Sequence, residues 1–150
     1  MQTAWIDRLL GPRNITAAVH LGFAGVLLLR PHLFELLEPW RGFLTVMPQT
    51  WWMVSTLVVA AMLVASPRGS KRLLVAQFIS ATLYITISGV ISAPSGINTG
   101  SSTYLILGAV TLLMLARTGV QVLASTTRGQ HLLAHPPAWA RRWFGSNDDA

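Results

Sequence analysis

The chain has 150 residues, of which 52% are hydrophobic and only 11% are charged, against roughly one quarter charged in soluble domains. So few charges cannot cover a water-facing surface, which excludes an ordinary soluble globule and leaves lipid as the surrounding medium. Net charge is +6 and there is no cysteine, so disulfides and thiolate metal sites are excluded, and the basic groups lie between apolar runs as they do beside anionic headgroups.

Residues 1–13 carry Asp7, Arg8 and Arg13 and have no apolar stretch of their own. The first apolar run therefore reads as a retained signal-anchor rather than a cleaved signal. It covers about residues 15–30, with Asn14 as a candidate N-cap. That is short for a hydrocarbon core of about 30 Å, which takes about 20 residues, but Leu33, Phe34, Leu36 and Leu37 can prolong it as a kinked or tilted helix beyond Pro31.

Residues 31–48 alternate polar and apolar groups and are broken by Pro31, Pro39, Gly42 and Pro48. A segment lying at the membrane surface is expected, with Glu35 and Glu38 in water near Arg30 and Arg41. A second span follows over about residues 49–66, opened by Pro48 and the indole pair Trp51 and Trp52. The basic turn 67–72 leads into a third span, about 73–92, and an uncharged loop leads into a fourth, about 103–122, capped by Ser101, Ser102 or Thr103.

These runs are too long for ordinary strands and none shows the polar face of a soluble bundle helix. The expected fold is all-α and integral to the membrane: four transmembrane helices in two hairpins, with a surface-lying segment between helices 1 and 2. The transmembrane domain covers residues 1–125, and residues 126–150 form a basic aromatic tail with an acidic end.

Charge sets the orientation. With both termini in the cytoplasm of a bacterial inner membrane, the inner segments hold Arg8, Arg13, Arg68, Lys71, Arg72, Arg117, Arg128, Arg141 and Arg142, and the outer ones only Arg30 and Arg41. Trp40, Trp51 and Trp52 then mark the outer interface, and Trp5, Trp139 and Trp143 the inner one. Trp139, Arg141, Arg142 and Trp143 combine indoles with cations, the composition of a segment held at headgroup level.

Little in the chain points to catalysis. The carboxylates Asp7, Glu35, Glu38, Asp148 and Asp149 lie at the ends or in the surface segment, and no nucleotide loop, zinc spacing or nucleophile elbow occurs. The chain reads as non-enzymatic, without a cofactor and without a nucleic-acid partner. His20 is the one ionisable side chain well inside a span. It suits a haem or metal ligand in principle, but a second histidine at similar depth is missing, and a histidine near the span's cytoplasmic end bonded to a neighbouring helix is the simpler reading. Gln77, Ser80, Tyr84 and Ser88 recur at i, i+3, i+7 and i+11 and share one face of the third span. Helix packing is the first reading of that face and a pore lining the second. Ala76 with Ser80, Ala61 with Ala65, and Ala18 with Gly22 are small pairs four apart that allow close helix approach.

Two stretches carry a family resemblance: Met47-Pro48-Gln49-Thr50-Trp51-Trp52, and Ala93-Pro94 with Asn98-Thr99-Gly100 and Thr103-Tyr104-Leu105, ending at Leu115-Ala116-Arg117. With the basic turn between spans two and three, they resemble small four-helix membrane proteins of tailed bacteriophages over roughly residues 15–118. The resemblance implies a phage membrane protein, some of whose kind are described as holin-like. The first functional expectation is a holin-like or lysis-accessory protein acting by oligomerisation in the host inner membrane; the alternatives are a structural or accessory subunit packed against a membrane-protein partner and a haem- or quinone-binding subunit using His20. No residue role transfers from the resemblance.

Overall fold

The computed structural model describes residues 11–127, 130, 131 and 135. Among the described residues the elements run, in chain order, α1 (Pro12–Leu29), α2 (Leu33–Leu36), α3 (Gly42–Val46), α4 (Gln49–Ala65), α5 (Lys71–Ser95) and α6 (Thr99–Ala124), with a 3-10 turn over Glu38–Trp40 between α2 and α3. No strand occurs among the described residues. Helices α1, α5 and α6 are long and apolar enough to cross a membrane, and α4 is apolar but shorter, at 17 residues.

The helix ends follow local chemistry, with some departures from the sequence reading. Helix α1 starts at Pro12, whose fixed φ and missing N–H suit the first helical position. Gly11 is therefore the N-cap, and Asn14 lies within the first turn, not before it. Helix α5 opens on Ser70, whose side chain accepts from Leu73 N at 3.1 Å. It runs on past residue 92 through Pro94 and stops at Gly96, whose φ of +71° ends the helix at low cost. Helix α6 begins four residues before the expected 103: Asn98 and Ser101 form a capping box, so Ser101 serves at the third helical position and Asn98 is the cap.

Helices α1 and α4 form one antiparallel hairpin and α5 and α6 the other, with α4 and α5 in contact between them. In the second hairpin the seam is closed by small residues. A Cβ on Gly108 would sit 3.2 Å from Ile85 Cγ1 and 3.6 Å from Tyr84 Cβ, so the two helices approach closely there and a larger residue would have to displace the Ile85 side chain slightly. Of the small pairs read from the sequence, Ala76 and Ser80 are buried, while Ala61, Ala65, Ala18 and Gly22 are exposed.

Residues 31–48 depart most from expectation. The first helix does not continue through Pro31: the chain turns at His32, which sits at φ +68°, and comes back over the end of the bundle. Phe34 and Phe43 are fully buried, stacked at 4.9 Å, and Trp40 stacks on both. The segment thus caps one end of the bundle instead of only lying on a surface, because its rings find Phe23, Leu27 and Ile87 beneath them. Its outward residues, Leu36, Leu37, Leu44 and Val46, remain exposed and apolar. Glu35 pairs with His32 at 3.2 Å, not with an arginine.

The indole pair also divides. Trp51 is 61% exposed, but Trp52 is fully buried, edge-on to Phe43, with Nε1 donating to Phe43 O at 3.2 Å. Trp52 is therefore a core residue and not an interface anchor, since neighbouring positions on a helix face about 100° apart and only one of them can look inward.

Gln49 ties this end together. Its Nε2 donates to Leu27 O at 3.1 Å and to Arg30 O at 2.9 Å, and its Oε1 accepts from Phe34 N at 3.2 Å. The last carbonyls of α1 have no helical partner of their own, so one amide from the start of α4 satisfies the fraying end of α1. Replacing Gln49 with Leu removes these bonds at similar volume. We expect a loss of about 1–3 kcal/mol and a melting midpoint several degrees lower in mild detergent. Thr45→Val, at an exposed site, serves as the control, and equal midpoints for both variants would show that these carbonyls are satisfied some other way.

Candidate functional site

The polar face of α5 turns inward. Gln77, Ser80, Tyr84 and Ser88 are all buried, at 2%, 0%, 1% and 7% exposure. Three of them bond to other helices. Ser80 Oγ and His20 Nε2 share a hydrogen bond of 2.7 Å, joining α5 to α1. Tyr84 Oη donates to Thr16 O at 3.2 Å, one turn earlier on α1. Ser88 Oγ donates to Ser101 O at 2.8 Å, joining α5 to the first turn of α6. The i, i+3, i+7, i+11 spacing thus becomes a column of contacts between helices.

His20 sits in the middle of α1, not near its end, and is 1% exposed. Its ring stacks on Tyr84 with centroids 4.6 Å apart and planes 12° from parallel. One nitrogen is engaged by Ser80 and one ring face is covered by a phenol, so binding a haem iron or metal through Nε2 would require Ser80 to let go. Among the described residues no group of three or more His, Asp or Glu could hold a metal ion. The Tyr84 ring lies 6.2 Å from that of Tyr104, which meets Phe23 edge-on at 6.4 Å, so an aromatic chain runs from the polar column to the cap.

Gln77 is the exception in the column. Its Oε1 is buried and has no hydrogen-bond partner among the described residues. The side chain lines a cleft at the end of the bundle opposite the aromatic cap, between the start of α1, the α4–α5 turn and the last part of α6. Sequence spacing identified the face that carries Gln77, but not the cleft, because the arginines around it come from three separate segments.

Trp40 is half-buried in the aromatic stack, and Trp51 is the exposed indole at that end. Trp139, Arg141, Arg142 and Trp143 lie outside the described residues. Comparison with known proteins returns no matching family model, curated protein or solved structure.

The His20–Ser80 bond can be measured. Ser80→Ala leaves a buried ring nitrogen without its partner, at an expected cost of about 1–3 kcal/mol. In the His20→Phe, Ser80→Ala double variant the two losses should fall short of additive by about 0.5–3 kcal/mol. Simple additivity in detergent unfolding would mean that the two side chains do not interact.

Proposed function

We propose that this chain is a non-enzymatic, polytopic membrane protein of the bacterial inner membrane, of bacteriophage type, that works through helix packing as a structural or accessory subunit. The carrying observation is the combination of an inward polar column with an outward apolar surface. Leu28, Leu29, Phe78, Ile106 and Leu113 are each more than 60% exposed, on three different helices. Soluble monomers rarely leave apolar area of that extent open, whereas lipid requires it. In this reading α4 also spans, its 17 residues helped by the cap at its start and a locally thinned or tilted fit. Both termini are cytoplasmic, which puts Arg13, Arg68, Lys71, Arg72 and Arg117 on the inner side.

A holin-like reading, in which oligomers open a lesion, is favoured by one observation: Gln77 is buried with its Oε1 unpartnered, so part of the α5 polar face is already unsatisfied in the closed bundle. The lesion requires α5 to release His20, Thr16 and Ser101 and turn towards water.

The absence of cysteine makes topology directly testable by single-cysteine labelling. With four spans, Thr45→Cys and Ile97→Cys react with a membrane-impermeant maleimide in intact cells, and Ser70→Cys reacts only after lysis. If α4 does not cross, Thr45→Cys and Ser70→Cys label alike. Strong expression should leave the membrane potential intact, and mild-detergent purification should bring down a stoichiometric partner. Collapse of the potential together with homo-oligomers alone would replace the accessory reading with the holin-like one.

A further inference from the structure

The cleft beside Gln77 is open and lined by polar and basic residues. It encloses about 260 Å³, slightly below the roughly 300–1,000 Å³ of sites for drug-sized molecules. That size suits a headgroup or a small ester better than a large cofactor. Three guanidinium groups border it, Arg13 from α1, Arg68 from the α4–α5 turn and Arg117 from α6. Among the described residues no carboxylate pairs with any of them, and Glu35 and Glu38 belong to the cap segment at the other end.

Arg13 is partly committed, since Nη1 donates to Ser66 O at 2.9 Å. A guanidinium has five N–H donors, so most of its capacity remains. Arg68 and Arg117 are exposed and free to swing inward. Three like charges around one small cleft repel one another, and an anion there removes that repulsion while accepting several charge-assisted bonds. Planar guanidinium forks match phosphate oxygens in particular.

Gln77 adds a second requirement. Its buried Oε1 is an acceptor, and an anion without an O–H, such as a phosphodiester or a fully ionised phosphate monoester, has no hydrogen to donate to it. A ligand that also carries a hydroxyl would donate to it and remove the unsatisfied group. The walls near Gln77 include Leu73 and Met114, which are apolar.

We propose that this cleft binds a phosphate ester of a polyol, with the phosphate held by Arg13, Arg68 and Arg117 and a polyol hydroxyl donating to Gln77. The same chemistry occurs in the headgroup of an acidic phospholipid and in a free glycerol phosphate. Only the lipid source rests on the membrane reading above.

The test uses the full chain in mild detergent, titrated with phosphatidylglycerol, phosphatidylmethanol, phosphatidylcholine or glycerol phosphate, and read by native mass spectrometry and thermal shift. Phosphatidylglycerol should bind at one site and raise the melting midpoint. Phosphatidylmethanol has the same charge but no headgroup hydroxyl and should bind several-fold more weakly, and phosphatidylcholine should bind weakest. Arg68→Gln with Arg117→Gln, both at exposed positions, should lower phosphatidylglycerol affinity by about tenfold or more. Gln77→Leu should keep the charge dependence but erase the preference for the glycerol headgroup. If glycerol phosphate binds as tightly as the lipid, the ligand is the soluble ester. The proposal is overturned if the double arginine variant binds phosphatidylglycerol like the parent chain, or if phosphatidylcholine binds equally well. Because the glycerol phosphate arm needs no bilayer, failure of the membrane reading in the cysteine-labelling experiment leaves the cleft itself still under test.

Discussion

The last carbonyls of a helix have no partner within it, and an apolar surrounding offers them no water. The α1–α4 hairpin answers this at both ends with a side chain from the start of one helix. Arg13, in the first turn of α1, donates to Ser66 O at the end of α4. Gln49, at the start of α4, donates to Leu27 O and Arg30 O at the end of α1. Each helix thereby closes the other, and their relative register is fixed without an ion pair. The rest of the arrangement depends on this: Gln49 also holds Phe34 N, and Phe34 brings the cap segment down on the bundle.

The second hairpin is joined to the first by the polar column of α5, and magnitudes bear on what that junction can do. Hydrogen bonds between membrane helices are worth about 0.6 kcal/mol on average and about 1.7 kcal/mol at most. On the proposed membrane reading, the two bonds that cross between the hairpins, from Ser80 and Tyr84, therefore hold the junction by about 1–3 kcal/mol. The stacking of His20 on Tyr84 adds packing to that, while Ser88 and the close seam at Gly108 hold the second hairpin itself together. Such a junction is firm for a monomer at rest, yet a large new interface could still exchange it for other contacts. The accessory and lesion-forming readings thus differ in whether such an interface forms, not in whether the fold permits one.

The apolar runs located the four principal helices to within a few residues, because hydrophobic length is a local property of the chain. The α5 polar face was likewise legible from its spacing. What escaped depends on where the chain returns. Trp51 and Trp52 are equivalent as a pair of indoles after a proline, and only the folded-back Phe43 decides which of them is buried. Gln49 reads as an ordinary first-turn residue until α1 is known to end beside it. Phe34 and Phe43 sit among prolines and charges, a composition that suggests a surface segment, and their burial follows from the His32 turn that redirects the chain. The cap of α6 is ambiguous in the sequence, where Asn98, Ser101, Ser102 and Thr103 all suit a helix start, and the folded chain uses Asn98 with Ser101 as its capping-box partner.

The two ends of the bundle are closed by different chemistry, and that difference limits how the molecule can act. At one end Phe23, Phe34, Phe43, Trp52 and Ile87 form a buried, largely aromatic seal next to Ser88, the last member of the polar column. At the other end the column finishes at Gln77, in an open cleft bordered by arginines. A polar solute entering from the arginine end would meet Gln77, then the His20–Ser80 bond, and then the rings. Transport along this column would require the seal and the junction to open together, losing aromatic packing as well as hydrogen bonds. Occupation of the cleft requires neither, since only exposed arginine side chains need to move. Binding at the basic end is thus the event this architecture accommodates with least rearrangement, and because Arg13 both borders the cleft and holds the end of α4, an anion there acts directly on the closure of the first hairpin.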